Sequence, residues 1–177
     1  MVSDDLTTLE LVDCGITDHQ FASIDFTVMR RFTDLNVSGN PDLTDISSVG
    51  VCAGDLIRLE ISDTGIRSFD WLKQLTKLRT FRADRTGFAD TAPLEAMIYL
   101  EELSLSGNCI NSLEGLKNTS KLSEVDLSNN DLTDVSVLGR SVASLWVLHL
   151  ENNQLADLSC LSGATELRKV FVDGNEL

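Results

Sequence analysis

Residues 100–132 read LEELSLSGNCINSLEGLKNTSKLSEVDLSNNDL, and their spacing decides the fold. Apolar residues stand at Leu100, Leu103 and Leu105, then come Asn108 and Ile110. One period later the same order returns as Leu122, Val125, Leu127, Asn130 and Leu132. Leu103 and Leu105 flank one polar residue, which is the alternation of a half-buried strand. A single unit of this kind cannot bury its own apolar face, so the fold depends on how often the order recurs.

Working outward, the order recurs along the whole chain. Toward the N-terminus it gives Leu78-Phe81-Ala83-Thr86-Phe88, Leu56-Leu59-Ile61-Thr64-Ile66, Phe32-Leu35-Val37-Asn40-Leu43 with one extra residue in its tail, and Leu6-Leu9-Leu11-Cys14-Ile16. Toward the C-terminus it gives Leu145-Leu148-Leu150-Asn153-Leu155 and Leu167-Val170-Val172-Asn175-Leu177. The steps between first residues are 26, 24, 22, 22, 22, 23 and 22, so the period settles after an irregular start. Between motifs an apolar residue falls at every third position, as in Phe69, Leu72, Leu75 and Leu78 or Leu158, Leu161, Ala164 and Leu167. That spacing suits a thin 3₁₀ or extended return segment better than an α-helix. The longer limb over residues 17–31 has room for one or two turns of α-helix.

The pattern resembles the leucine-rich repeat, L-x-x-L-x-L-x-x-N-x-L, from Leu6 to Leu177. The short period is similar to the class that includes a protein phosphatase regulatory subunit, an axonemal dynein light chain and the bacterial internalins. The resemblance implies an α/β repeat solenoid: a right-handed horseshoe with a parallel concave β-sheet of about eight short strands and thin 3₁₀ or extended convex limbs. Residues 1–177 are expected to form a single domain of about eight repeats, starting at Leu6, Phe32, Leu56, Leu78, Leu100, Leu122, Leu145 and Leu167. The last motif ends at Leu177 without a polar cap, so the chain is expected to be part of a longer protein.

Physics supports the same architecture. Strands stacked about 4.8 Å apart make a sheet roughly 35 Å long. The asparagine carries both a carbonyl and an amide, so one buried side chain can satisfy backbone groups of adjacent turns. Asn40, Asn108, Asn130, Asn153 and Asn175 keep it, whereas Cys14, Thr64 and Thr86 do not. The third and fourth repeats are therefore expected to be looser.

Composition removes several functions. The 177 residues hold 14 Lys plus Arg against 28 Asp plus Glu, a formal net charge of −14. Phosphate backbones and anionic membranes need a basic footprint, so neither nucleic acid nor a membrane is an expected partner. Met1 to Glu10 carries acids where a secretory signal would carry bases, and a cytoplasmic location is the expectation, or a secreted one if a signal peptide has been removed. Cys14, Cys52, Cys109 and Cys160 lie too far apart in sequence for a zinc or redox motif and read as reduced, mostly buried thiols.

Catalytic signals are poor. The histidines are His19 and His149, no Gly-rich phosphate loop occurs, and Asp126 to Asp131 lacks the order of a calcium loop. No enzyme, cofactor or metal is expected. Asn36-Val37-Ser38 and Asn118-Thr119-Ser120 match the glycosylation tripeptide, which matters only in a secreted protein.

The remaining candidate is the concave face, because parallel sheets are normally covered on both sides and this one has no segment to cover it. Register places Asp34 beside Arg58 and Glu60 beside Arg82, so the first half is expected to pair its own charges. In the second half Glu102 falls beside Glu124, with Asp126 next to them, and like charges side by side invite a cation. Beyond them Val147, His149 and Phe171, with Trp146 at the strand's leading edge, form an apolar and aromatic cluster of the type enriched in binding hot spots. The expected function is a noncatalytic protein–protein interaction module, a scaffold or regulatory subunit. It would act as a monomer or partner-bound, its concave face taking a protein with basic and apolar residues. The alternatives are a secreted, internalin-like adhesion module and an architectural or sensing segment of a larger multidomain protein.

Overall fold

Only the short stretch around the motif's paired leucines alternates faces, and each repeat accordingly contributes a three-residue strand. The computed structural model describes residues 5–52 and 54–177, apart from the side chain of Cys52. The acidic start read against a secretory signal lies partly outside these residues, as does the Cys52 thiol. The strands are β1 (Thr8–Glu10), β2 (Asp34–Asn36), β3 (Arg58–Glu60), β4 (Thr80–Arg82), β5 (Glu102–Ser104), β6 (Glu124–Asp126), β7 (Val147–His149) and β8 (Lys169–Phe171). They form one eight-stranded sheet in chain order, every neighbouring pair parallel. The chain is thus a leucine-rich-repeat solenoid with an open concave sheet.

Register aligns the central residues, Leu35 with Leu59, Leu59 with Phe81, Phe81 with Leu103 and onward to Val170. From Leu35 to Leu148 these side chains are buried between the sheet and the return limbs. The limbs are 3₁₀ turns at Phe26–Val28, Ser47–Cys52, Asp70–Gln74, Ala92–Leu94, Glu114–Leu116, Ser136–Ser141 and Ser159–Leu161. An α-helix, α1 (Asp18–Ala22), occupies the longer first limb, and its Phe21 packs tilted against Phe26, which packs in turn against Phe32. Asp18 at its start accepts hydrogen bonds from the Thr44 hydroxyl and the backbone N–H groups of Thr44 and Asp45, which hold its pKa below the ordinary carboxylate value. No helix among the described residues is long and apolar enough to cross a membrane.

After each strand the chain turns through a left-handed residue: Asp13, Gly39, Asp63, Arg85, Gly107, Asn129, Asn152 or Gly174. Glycine, asparagine and aspartate tolerate that conformation best. Arg85, at φ 52°, is the exception, and it forks onto Asp63 at 2.5–2.6 Å.

The asparagines work as expected of a ladder. The Asn130 amide donates to the carbonyls of Leu105 (2.9 Å) and Leu127 (3.0 Å), while its oxygen accepts the Ile110 N–H at 3.0 Å. Thr64 and Thr86 break the series: the Thr64 hydroxyl donates to the Ile61 carbonyl of its own repeat, and that of Thr86 donates to the Ala83 carbonyl at 2.9 Å and to the Asn108 side-chain oxygen at 3.4 Å. The third and fourth repeats are nevertheless not looser. Arg67 fills the gap by donating from Nη1 to the carbonyls of Ile66, Thr86 and Thr64 at 2.8, 2.6 and 3.3 Å, and Leu59, Ile61, Phe81 and Ala83 remain fully buried.

Asn130→Ala should therefore cost about 2–3 kcal/mol, because it strands the buried Ile110 N–H and a carbonyl that no water reaches. Asn175→Ala, in the half-buried last rung, should cost about 1 kcal/mol or less, since solvent can replace its bonds. Parallel urea titrations check the contrast, and equal losses would remove the ladder's role.

The cysteine expectation is corrected. Cys14 and Cys109 are exposed and Cys160 is half-buried, all three as free thiols. They occupy turn or limb positions outside the stacked leucine columns, so the usual burial of cysteine does not apply to them. Burial and the nearby Asp134 and Asp157 raise the pKa of the Cys160 thiol.

Candidate partner-binding face

The outward side chains of β4 to β8 assemble the candidate site. Arg82, Glu102, Ser104, Glu124, Asp126 and His149 surround a hollow of about 90 Å³ on the concave face. Register sets Glu102 beside Glu124, and Asp126 between Ser104 and His149. Val147 lies between Glu124 and Lys169 on the adjoining strands, and His149 lies beside Phe171. The His149 and Phe171 rings stack at 4.4 Å with 11° between their planes, and Phe171 remains 39% exposed.

The ion pairs depart from expectation. Glu60 does lie beside Arg82 in register, but it bonds to Arg58 on its own strand at 2.6–2.7 Å and accepts from Asn36 at 3.1 Å. This contact raises the Arg58 pKa above its ordinary value. Arg82 turns the other way, to Glu102 at 3.1 Å, so Glu102 is not an unpaired acid. An arginine reaches across one strand spacing as easily as along its own strand, and Glu60 already has two donors. Asp34 takes the hydroxyl of Thr33 at 2.5 Å.

What remains for an incoming cation is Glu124 and part of Asp126. Glu124 is exposed, and its carboxylate has no hydrogen-bond or ion-pair partner among the described residues. Asp126 accepts the Ser128 N–H and hydroxyl through one oxygen, leaving the other outward. His149 Nδ1 faces Glu151 at 3.2 Å, and Arg82 Nε and Glu151 Oε2 are buried without partners. A second hollow, of about 440 Å³, lies over the first half of the face among Glu10, Asp34, Asn36, Arg58 and Glu60.

Trp146 immediately precedes β7, at the strand's leading edge, and stands 57% exposed. Thr80 is a departure: it occupies an outward position yet is buried. Among the described residues no group of three or more His, Cys, Asp or Glu side chains could hold a metal ion.

Comparison with known proteins agrees with this geometry. The family model described as leucine rich repeats (2 copies) matches residues 100–140. A search of curated proteins finds no match. Among solved structures, internalin C2 of Listeria monocytogenes superposes with a TM-score of 0.84 at 21% identity, over 98% of this chain and 74% of that one. Internalin F of the same organism gives 0.78 at 25% identity, over 85% of this chain and 44% of that one. A plant peptide hormone receptor in complex with RGF2 gives 0.61 at 18% identity, over 84% of this chain and 29% of that one. The chain therefore spans less than half of internalin F and under a third of the receptor.

Proposed function

The chain is a leucine-rich repeat protein, and from that premise we propose that it is a noncatalytic interaction module whose concave second half binds a protein partner. The observation that carries this reading is the juxtaposition of an unpaired carboxylate, Glu124, with an exposed aromatic stack, His149 on Phe171, across a sheet face that no described segment covers. Uncovered parallel sheet is uncommon in proteins, and a packed aromatic beside an open charge is the composition of a binding hot spot. The complementary partner carries a Lys or Arg next to an apolar side chain.

A regulatory or scaffolding role in the cytoplasm and a secreted adhesion role are two forms of this reading. The free cysteines support the first, and the likeness to internalins supports the second. Fractionation of the native source separates them.

Affinity capture with the isolated chain supplies a partner, and association kinetics then test the face. Glu124→Lys should slow association and remove much of its salt dependence, since steering charges act on the on-rate. Phe171→Ala should speed dissociation, with a loss of about 2 kcal/mol for an aromatic anchor. Lys117→Glu, on the convex side, should change neither rate. An effect confined to Lys117→Glu would place the partner on the outer face and overturn the assignment.

A further inference from the structure

From β4 to β8 the middle row of outward side chains on the concave face reads Arg82, Ser104, Asp126, His149 and Phe171. Ser104 is the one small member of that row, and its hydroxyl is held by Asp84 at 2.6 Å. The hollow of about 90 Å³ lies over it, with Leu103 and Ser104 among its lining, Arg82 on the β4 side and His149 on the β7 side. The hollow is therefore a slot made by one short side chain in a row of long ones.

His149 turns a bare ring face to this slot. One face of its imidazole is covered by Phe171 of β8, stacked at 4.4 Å with 11° between the planes. The other face therefore turns toward β6 and the hollow that His149 lines. Nδ1 lies 3.2 Å from Glu151 Oε1, so the plane of the ring is fixed from two sides before any partner arrives. Two carboxylates stand on the facing strand. That of Glu124 has no partner among the described residues, and Asp126 commits one oxygen to the Ser128 N–H and hydroxyl, leaving the other outward. Arg82, the one cation lining the slot, is paired with Glu102 at 3.1 Å, so the charge left facing the slot is negative.

We propose that the slot takes an arginine of the partner protein, its guanidinium lying flat on the free face of His149 with its N–H edge toward Glu124 and the outward oxygen of Asp126. The proposal rests on the concave-face reading and decides what that reading leaves open, the choice between Lys and Arg. Charge complementarity selects a cation, and the ring selects which one. A guanidinium is planar, weakly hydrated and carries five donors in a fixed fork, so it can stack by its face and bond by its edge at once. An ammonium is a compact, strongly hydrated point charge that would meet the carboxylates but gain little from a flat wall. The dimensions agree. Ser104 and His149 stand two strand spacings apart, about 10 Å, and a plane resting on the ring at about 4 Å comes over β6, the strand that carries both carboxylates.

A display library of random twelve-residue peptides, selected at low ionic strength on the full chain and counter-selected on Glu124→Gln/Asp126→Asn, tests the proposal. Enriched peptides should share an arginine. A synthetic peptide of that sequence should bind about tenfold more weakly when this arginine is replaced by lysine, or by citrulline, which keeps the plane and loses the charge. His149→Phe, which keeps a flat ring, should preserve the preference for arginine over lysine within about twofold, and His149→Leu should abolish it. The peptide replacements leave the protein unaltered, so they decide the matter even if circular dichroism shows His149→Leu unfolded. Enriched peptides in which lysine serves as well as arginine, or an arginine preference that survives in folded His149→Leu, overturn the assignment while leaving the concave-face reading in place. Absence of enrichment, or peptides held equally by the Glu124→Gln/Asp126→Asn variant, overturns both.

Discussion

Gly115→Val should destabilise the protein by about 3 kcal/mol or more, the largest loss expected from any single added side chain on the convex surface. A Cβ at residue 115 would overlap the carbonyl carbon and oxygen of Thr91 and press on the Ala92 nitrogen at 2.9 Å. Those are backbone atoms of the preceding limb, so no rotamer change relieves the clash. The same two limbs are tied by Thr91, whose hydroxyl accepts the Gly115 N–H at 3.1 Å and donates to the Ser112 carbonyl at 3.1 Å. Prising the limbs apart therefore costs packing together with one buried and one part-buried hydrogen bond. For a chain of this size the loss corresponds to a Tm lower by roughly 6–12 °C. Gly139→Ala is the control: its Cβ would meet nothing closer than the Cys160 carbonyl oxygen at 3.5 Å, and its effect should stay within about 1 kcal/mol. Equal shifts for the two in thermal melts would show that the limbs do not touch at residue 115.

That contact marks where the sequence stops being informative. Strands, their order and the inward residues are legible because they follow a repeated alternation, and a one-residue slip would expose every leucine. The bridging asparagines are legible because buried turn carbonyls need a donor. Residue 115 is not, since its counterparts in neighbouring limbs are Trp71, Pro93, Val137 and Cys160, and nothing in that series announces a close approach. Arg67 is missed for a related reason: it replaces an absent asparagine from three residues beyond the asparagine position, Thr64, and side-chain reach is not a periodic property. The candidate site divides along the same line. Its face and members, Glu102, Glu124, Asp126, Val147, His149 and Phe171, follow from register. The choice of Arg82 for Glu102 over Glu60 depends on competition between side chains. Val170 sits at an inward position yet is 39% exposed, because β8 pairs on one side only.

Leu105→Ala should cost roughly 2–5 kcal/mol, the range for emptying a fully buried leucine site. The neighbouring inward position in the fourth repeat is Ala83, whose missing volume is made up by Phe81 and Phe88, their ring centroids 6.1 Å apart. A second alanine alongside would leave a void that those rings, already packed edge to face, cannot enter. Ser104→Ala, one residue away on the opposite face, should cost only about 1 kcal/mol. It removes a single 2.6 Å bond to Asp84, which keeps the Ser106 N–H at 2.8 Å. Because each repeat touches only its neighbours, the loss at Leu105 falls on one interface near the middle of the array. In a urea titration the midpoint should drop and the slope should fall with it, as the repeats on either side begin to unfold separately. A lower midpoint with an unchanged slope would mean that coupling through the fifth repeat does not depend on this side chain, and equal losses for the two variants would mean that the inward and outward faces are exchanged.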